Sequence, residues 1–231
     1  MPTRAIRLLV LLALGLTSLV CVPGCDKHAA DREAIIDLFE RHQQNIRARD
    51  GKAAAADLTD ASHDMTTELL KKALTLSEKA TRALPGSDRL DVLLIRHLTG
   101  GDKDEIKKIA AMNGRQYYEY VIEQGWTFEP TNFSLEGFKF SKTGAEAKLA
   151  SDERKVDWVV YFLLENDKWM IDDTQRQRYN RVVAKYAAKN KMSEDEFMLA
   201  LLYFISGREP SRNIWSPLKP TSSGVNPLLD N

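Results

Sequence analysis

The run Val156-Asp157-Trp158-Val159-Val160-Tyr161-Phe162-Leu163-Leu164-Glu165 limits the fold of this chain more than any other segment. Its β-branched and aromatic residues favour an extended strand. In a strand, successive side chains point to opposite faces. Val156, Trp158, Val160, Phe162 and Leu164 therefore share one face, and Val159, Tyr161 and Leu163 share the other. A sheet with one wetted face would alternate apolar and polar residues. This strand does not, so both of its faces need a cover. Asn166-Asp167 follows at once as a tight turn, and Lys168 to Asp173 returns as the hairpin partner.

Two more strands are predicted, Phe133–Phe140 and Ala145–Ser151, joined by a turn at Lys142-Thr143-Gly144. In the first, Phe133 and Leu135 lie on one face while Phe138 and Phe140 fall on the other. A bulge at Gly137 would cause that slip and curve the sheet. Everything earlier in the mature chain reads as helix. Ile35, Leu38, Phe39, His42 and Ile46 form one helical stripe. A short alanine-rich helix covers Lys52–Leu58. A stripe from Met65 through Leu69, Ala73, Leu76 and Ala80 to Leu84 runs up to Pro85-Gly86. Ser87 opens a helix that ends at Gly100-Gly101. Asp102 and Glu105 read as a capping box for a long helix, with a kink or break expected at Gly114.

After the sheet come two further helical segments. Ser193 and Glu196 form a capping box for the second, in which Phe197 to Ile205 is apolar almost all round. An all-round apolar helix is a buried one, so it is expected to pack against the sheet. The second sheet face is then covered by this C-terminal part or by a partner subunit. The fold class is α+β: N-terminal helices packed on a curved four-stranded antiparallel sheet, with extra C-terminal helices. From Arg208 onward the chain is rich in Pro, Ser and Asn and reads as an irregular tail.

The first 24 residues read as processing information. Arg4 and Arg7 precede the apolar run Leu8 to Val20, which is too short for a span of about 20 residues. The run ends at Val22-Pro23-Gly24-Cys25. This pattern resembles the leader of bacterial lipoproteins, with an aliphatic residue at −3, a small one at −1 and cysteine at +1. The resemblance implies that Cys25 carries diacylglycerol, often with acylation of its new amino group such as palmitate. It also implies a place in the cell envelope, lipid-anchored to the inner or outer membrane and facing the periplasm or exterior. Cys21 and Cys25 are the sole cysteines, so a disulfide within the mature domain is excluded. Lys plus Arg and Asp plus Glu number 33 each. Losing Arg4 and Arg7 leaves a slight acidic excess, which argues against a nucleic-acid partner. With 43% hydrophobic and 29% charged residues, a packed core is expected rather than disorder.

Helices followed by a sheet that closes on Trp158-Val159-Val160-Tyr161-Phe162 and Asn166-Asp167-Lys168-Trp169-Met170-Ile171-Asp172 resemble the cone-shaped superfamily of nuclear transport factor two and SnoaL-like proteins. That resemblance covers roughly residues 31–173. It divides the chain into a signal peptide at 1–24, a lipidated tether at 25–30, a cone-like domain at 31–173, a helical extension at 174–207 and a tail at 208–231. The superfamily includes isomerases, dehydratases, carriers and interaction modules, so a fold would not fix a function.

Candidate chemistry is sparse. His42 and His97 lie on apolar helical stripes, where a histidine acts either as a buried base or, more often, as a satisfied core residue. Tyr117, Trp126, Trp158, Tyr161 and Trp169 are the aromatic candidates for lining a pocket in the cone. Tyr118 and Asp157 are further groups that such a pocket could use. Asp60, His63 and Asp64 read as a helix start rather than a metal set, and no catalytic, metal or cofactor motif occurs. Arg176, Arg178, Arg181, Lys185, Lys189 and Lys191 form a basic stretch, followed at once by Glu194, Asp195 and Glu196. It reads as a solvated face, with anionic lipid as the alternative. The leading expectation is a non-enzymatic binding or protein-interaction module, or a homodimer, with no cofactor. A small-molecule carrier or small enzyme using the cone pocket is the alternative.

Overall fold

The computed structural model describes residues 27–126, 133–151, 158–175 and 177–219. The chain divides into two units, Met1–Glu33 and Ala34–Asn231. Lys27 to Glu33 supply the described part of the first, where His28 Nδ1 lies 3.2 Å from the Asp31 carboxylate.

Seven helices precede the sheet among the described residues: α1 (Ala29–Ala48), α2 (Gly51–Ala55), α3 (Asp60–Thr75), α4 (Glu78–Arg82), α5 (Gly86–Thr99), α6 (Lys103–Ile109) and α7 (Gly114–Gln124). The sheet is an antiparallel meander in the order β1 (Ser134–Phe140), β2 (Gly144–Ala150), β3 (Val159–Glu165) and β4 (Lys168–Asp172). Helices α8 (Gln177–Lys189) and α9 (Glu194–Ser206) follow it. The chain is thus α+β, with helices before the sheet and more after it.

The bulge falls where the phase slips. Register shifts between Glu136 and Lys139, and Gly137 has φ of 61°. That extra residue lets Phe133, Leu135, Phe138 and Phe140 all pack into one cluster. Asn166 and Asp167 both have positive φ, the backbone that a tight two-residue hairpin needs. The inner face of the sheet, with Ala145, Ala147, Leu149, Phe162 and Ile171, is filled by Ile35, Leu38 and Phe39 of α1.

A second core lies wholly among helices. Leu69, Leu70, Ala73 and Leu74 of α3 meet Val92 and Ile95 of α5, Ile109, and Tyr117 and Tyr120 of α7. Gly114 is explained here. It marks a full break between α6 and α7, with Asn113 as the reciprocal cap of α7. A methyl at Gly114 would overlap the His63 carbonyl of α3, so glycine permits the close approach of the two helices.

The stripe from Met65 to Leu84 is not one helix. It breaks after Thr75, and Ser77 caps the short α4. The cause is Arg96 of α5, which is 3% exposed. Its guanidinium donates to the carbonyls of Ala73 at 2.9 Å and Leu76 at 2.7 Å, ending α3. It also donates to Trp215 O at 2.7 Å, and burial lowers its pKa to about 10. The tail is therefore docked near residues 214–219, where Lys219 N donates to Leu74 O at 2.9 Å.

The C-terminal helices correct one expectation. α9 packs on α5 and α8, not on the sheet: Met198 and Leu202 meet Leu93, Val183, Ile214 and Trp215. Ion pairs lie along the same seam. Glu194 pairs with Arg89, and Asp195 with both Arg82 and Arg89. Nor is α9 buried all round, because Tyr203 and Phe204 are exposed. The outer sheet face, carrying Val159, Tyr161, Leu163 and Met170, is half-buried.

Two substitutions test these packing arguments by urea unfolding. Gly114→Ala should cost about 2–3 kcal/mol through overpacking against α3. Arg96→Met should cost about 3 kcal/mol by orphaning buried carbonyls, and Arg96→Lys should recover only part of that, since an ammonium lacks the planar fork.

Candidate functional site

Among the described residues, a group of buried polar side chains lies where α1, α2 and α7 meet the edge of the sheet. α1 carries Arg41, His42 and Asn45 on adjoining turns, beside its apolar stripe. The chain leaves α2 through Asp57 and Leu58, which lie along β4. Ile171 N donates to Asp57 O at 2.8 Å, and Thr59 N donates to Ile171 O at 3.0 Å. This parallel bridge between Leu58 and Ile171 covers part of the β4 edge. It also fixes the Asp57 side chain beneath α1.

The Asp57 carboxylate is nearly fully buried. Arg41 donates to Oδ1 from Nη2 at 2.7 Å and from Nε at 3.2 Å. Asn45 Nδ2 donates to Oδ2 at 3.2 Å, and His42 Nδ1 stands 3.4 Å from the same oxygen. Burial alone would push the carboxyl pKa up. The His42 imidazole and the Arg41 guanidinium outweigh it and hold the group below its ordinary value.

His42 Nε2 lies 3.1 Å from the Tyr118 hydroxyl of α7. With Nδ1 facing a carboxylate, that nitrogen carries the ring proton, and Tyr118 donates to Nε2. The Tyr118 ring is 6.4 Å from the rings of both His42 and His63. His63 Nε2 reaches Ala55 O at 3.0 Å, while burial lowers its pKa. Asp60 and Asp64, its sequence neighbours, are exposed, and Thr59 caps the helix. Chemically, the line Asp57, His42, Tyr118 can hold one proton at Nδ1 and polarise one hydroxyl. Structurally, it clasps three helices to a sheet edge.

The sequence-derived candidates do not gather at this point. Of them, His42 and Tyr118 belong to it. Tyr117 and Trp126 share the helical core, where Trp126 meets Tyr120 edge-on at 5.5 Å. Burial, then Asp91 and Glu105, raise the Tyr117 hydroxyl pKa, so it does not ionise at neutral pH. Trp158 packs with the inner sheet cluster, and Tyr161 lies on the outer face. His97 is at the far end of α5, with Nε2 2.6 Å from Ser206 Oγ. That hydroxyl donates to Leu202 O at 2.9 Å and accepts from Arg208 N at 3.1 Å. Oγ also lies 3.3 Å from Arg208 O, and the imidazole donates or accepts there according to its tautomer. The pair closes the end of α9. Cys25, Asp157 and Arg176 lie outside the described residues.

Asp57, Arg41 and Asn45 escaped sequence reasoning. The available signal was Arg41 and Asn45 on the turns around His42, which itself sits on the apolar stripe; only folding brings Asp57 against them. An open cavity of about 380 Å3 lies elsewhere, between α9 and the tail, lined by Leu199, Ala200, Tyr203, Arg212, Ile214 and Trp215 among others. None of the described pocket candidates borders it.

No protein family, curated protein or solved structure matches this chain.

Asp57→Asn should lower stability by about 2 kcal/mol at neutral pH. The folded pKa lies below the unfolded value near 3.8, so the stabilisation is full above that value. It is lost as pH falls further, through the folded pKa. The gap between wild type and variant, read from urea midpoints, should therefore be constant above about pH 5 and close below about pH 4.

Proposed function

We propose that this chain is a lipid-anchored protein of the bacterial cell envelope whose α+β domain is a non-enzymatic binding or protein-interaction module. On this reading residues 1–24 direct export, and lipid on Cys25 holds the mature chain to the inner or outer membrane. No helix among the described residues is long and apolar enough to cross a membrane. The domain is read as a cone of the nuclear transport factor two-like superfamily, with the bulge at Gly137 bending the sheet around α1.

One observation carries the choice of a binding module over a carrier. The inner sheet face, where such a cone would hold a ligand, is filled by Ile35, Leu38 and Phe39. The polar groups near it bond to one another rather than to an open space. Binding is then left to outward surfaces. A second reading, as a small enzyme or carrier, is favoured by the line from Asp57 through His42 to Tyr118, whose last member is half-buried.

Expression of the full chain in a bacterium tests both. The mature protein should sediment with membranes, release in detergent and carry a diacylglyceryl mass on Cys25, and Cys25→Ser should abolish that mass. A wild-type chain that is soluble and unmodified would defeat the anchor. Native mass spectra of the detergent-released protein should show no retained small molecule. A stoichiometric extra mass lost in Tyr118→Phe would transfer the assignment to the enzyme or carrier reading.

A further inference from the structure

The C-terminal turn of α9 ends in a feature that the packing of the domain does not use. Phe204 is 75% exposed and Tyr203 is 49% exposed, although both belong to an otherwise apolar helix. Met198 and Leu202 point the helix's buried side at α5. Ala200, Tyr203 and Phe204 fall on the opposite side, and all three are exposed. Beside them opens the cavity of about 380 Å3, with Ile214 and Trp215 buried in its wall and Tyr203 and Arg212 at its lining.

The charges around this patch are of one prevailing sign. Gly207 caps α9 through Tyr203 O, and Arg208 follows directly, within one turn of Phe204. Arg208 and Arg212 are both exposed, and neither makes an ion pair among the described residues. One carboxylate, Glu209, stands between them. The acidic residues that open α9 are engaged at its other end: Glu194 and Asp195 with Arg82 and Arg89, Glu196 with Ser193. Protruding aromatic side chains flanked by arginine suit the headgroup layer of a bilayer. There the rings enter the acyl boundary, and the guanidiniums meet phosphate.

We infer that the C-terminal turn of α9 and the loop to Arg212 form a contact surface for anionic phospholipid, seated by Phe204 and Tyr203 and steered by Arg208 and Arg212. This rests on the proposed anchor at Cys25. A patch this small would bind a membrane weakly from solution, but a tethered chain meets the surface at high effective concentration. The patch would then orient the domain and hold one face of it toward the bilayer.

Hydrogen exchange on the full chain, reconstituted into vesicles, tests the inference. Vesicles of phosphatidylcholine are compared with vesicles containing about one third phosphatidylglycerol. Amides from Tyr203 to Arg212 should exchange about tenfold more slowly in the anionic vesicles than in detergent micelles. Phe204→Glu should remove that protection while leaving the thermal midpoint unchanged, because the side chain is exposed. Arg208→Glu combined with Arg212→Glu should erase the difference between the two vesicle types. Equal exchange in micelles and both vesicles would overturn the surface. So would protection that appears without lipid as protein concentration rises, which would assign the patch to a second copy. The mass on Cys25, measured on the same sample, keeps the two readings apart. An acylated chain without protection sinks only the surface, and an unmodified chain sinks the anchor.

Discussion

The carboxylate of Asp57 ties the two halves of this domain together. Its backbone pairs with Ile171 on the edge of the sheet, and its side chain is held by Arg41 and Asn45 and faces His42, all on α1. A buried acid is costly unless it is paired, so the groups around it must stay where they are. Because α1 also fills the inner sheet face with Ile35, Leu38 and Phe39, the polar and apolar contacts fix the same docking. Tyr118 extends the connection to α7. Moving any of these elements would strand a buried polar group as well as open a cavity.

Arg96 performs the corresponding task on the other side. It is a buried cation that bonds to carbonyls instead of a carboxylate, gathering the end of α3 and the tail at Trp215. Such carbonyls are the orphan acceptors that every helix end leaves, and one planar guanidinium can satisfy several at once. The stacking of Arg82 over Trp215 at 3.8 Å then closes the tail against α4. The C-terminal segment is part of the domain because of these contacts, in spite of its irregular composition.

With the interior claimed in this way, the domain's remaining chemistry faces outward. The buried histidines are bound into structural networks, and the apolar residues left over sit on the outer sheet face and on α9. On the reading proposed above, recognition would fall to those outward faces.

Much of the local structure was legible in order along the chain. The four strands, the turn at Asn166-Asp167, the bulge at Gly137 and the buried stripe of α1 all follow from side-chain periodicity and backbone preference, which act over a few residues. The break at Leu76 was not legible. The sequence carries an unbroken apolar stripe there, and the group that ends the helix, Arg96, arrives from another helix. The Asp57 cluster was hidden for the same reason: Tyr118 lies on a helix far along the chain, and only folding places it against His42. The sequence by itself determined that α9 is apolar. Tertiary structure decided which side it buries: Met198 and Leu202 pack on Leu93 and Trp215, the ion pairs of Glu194 and Asp195 line the same seam, and Phe204 is left in the open. Periodicity reports that a face must be covered, whereas the choice of cover depends on charges and shapes that meet only in three dimensions.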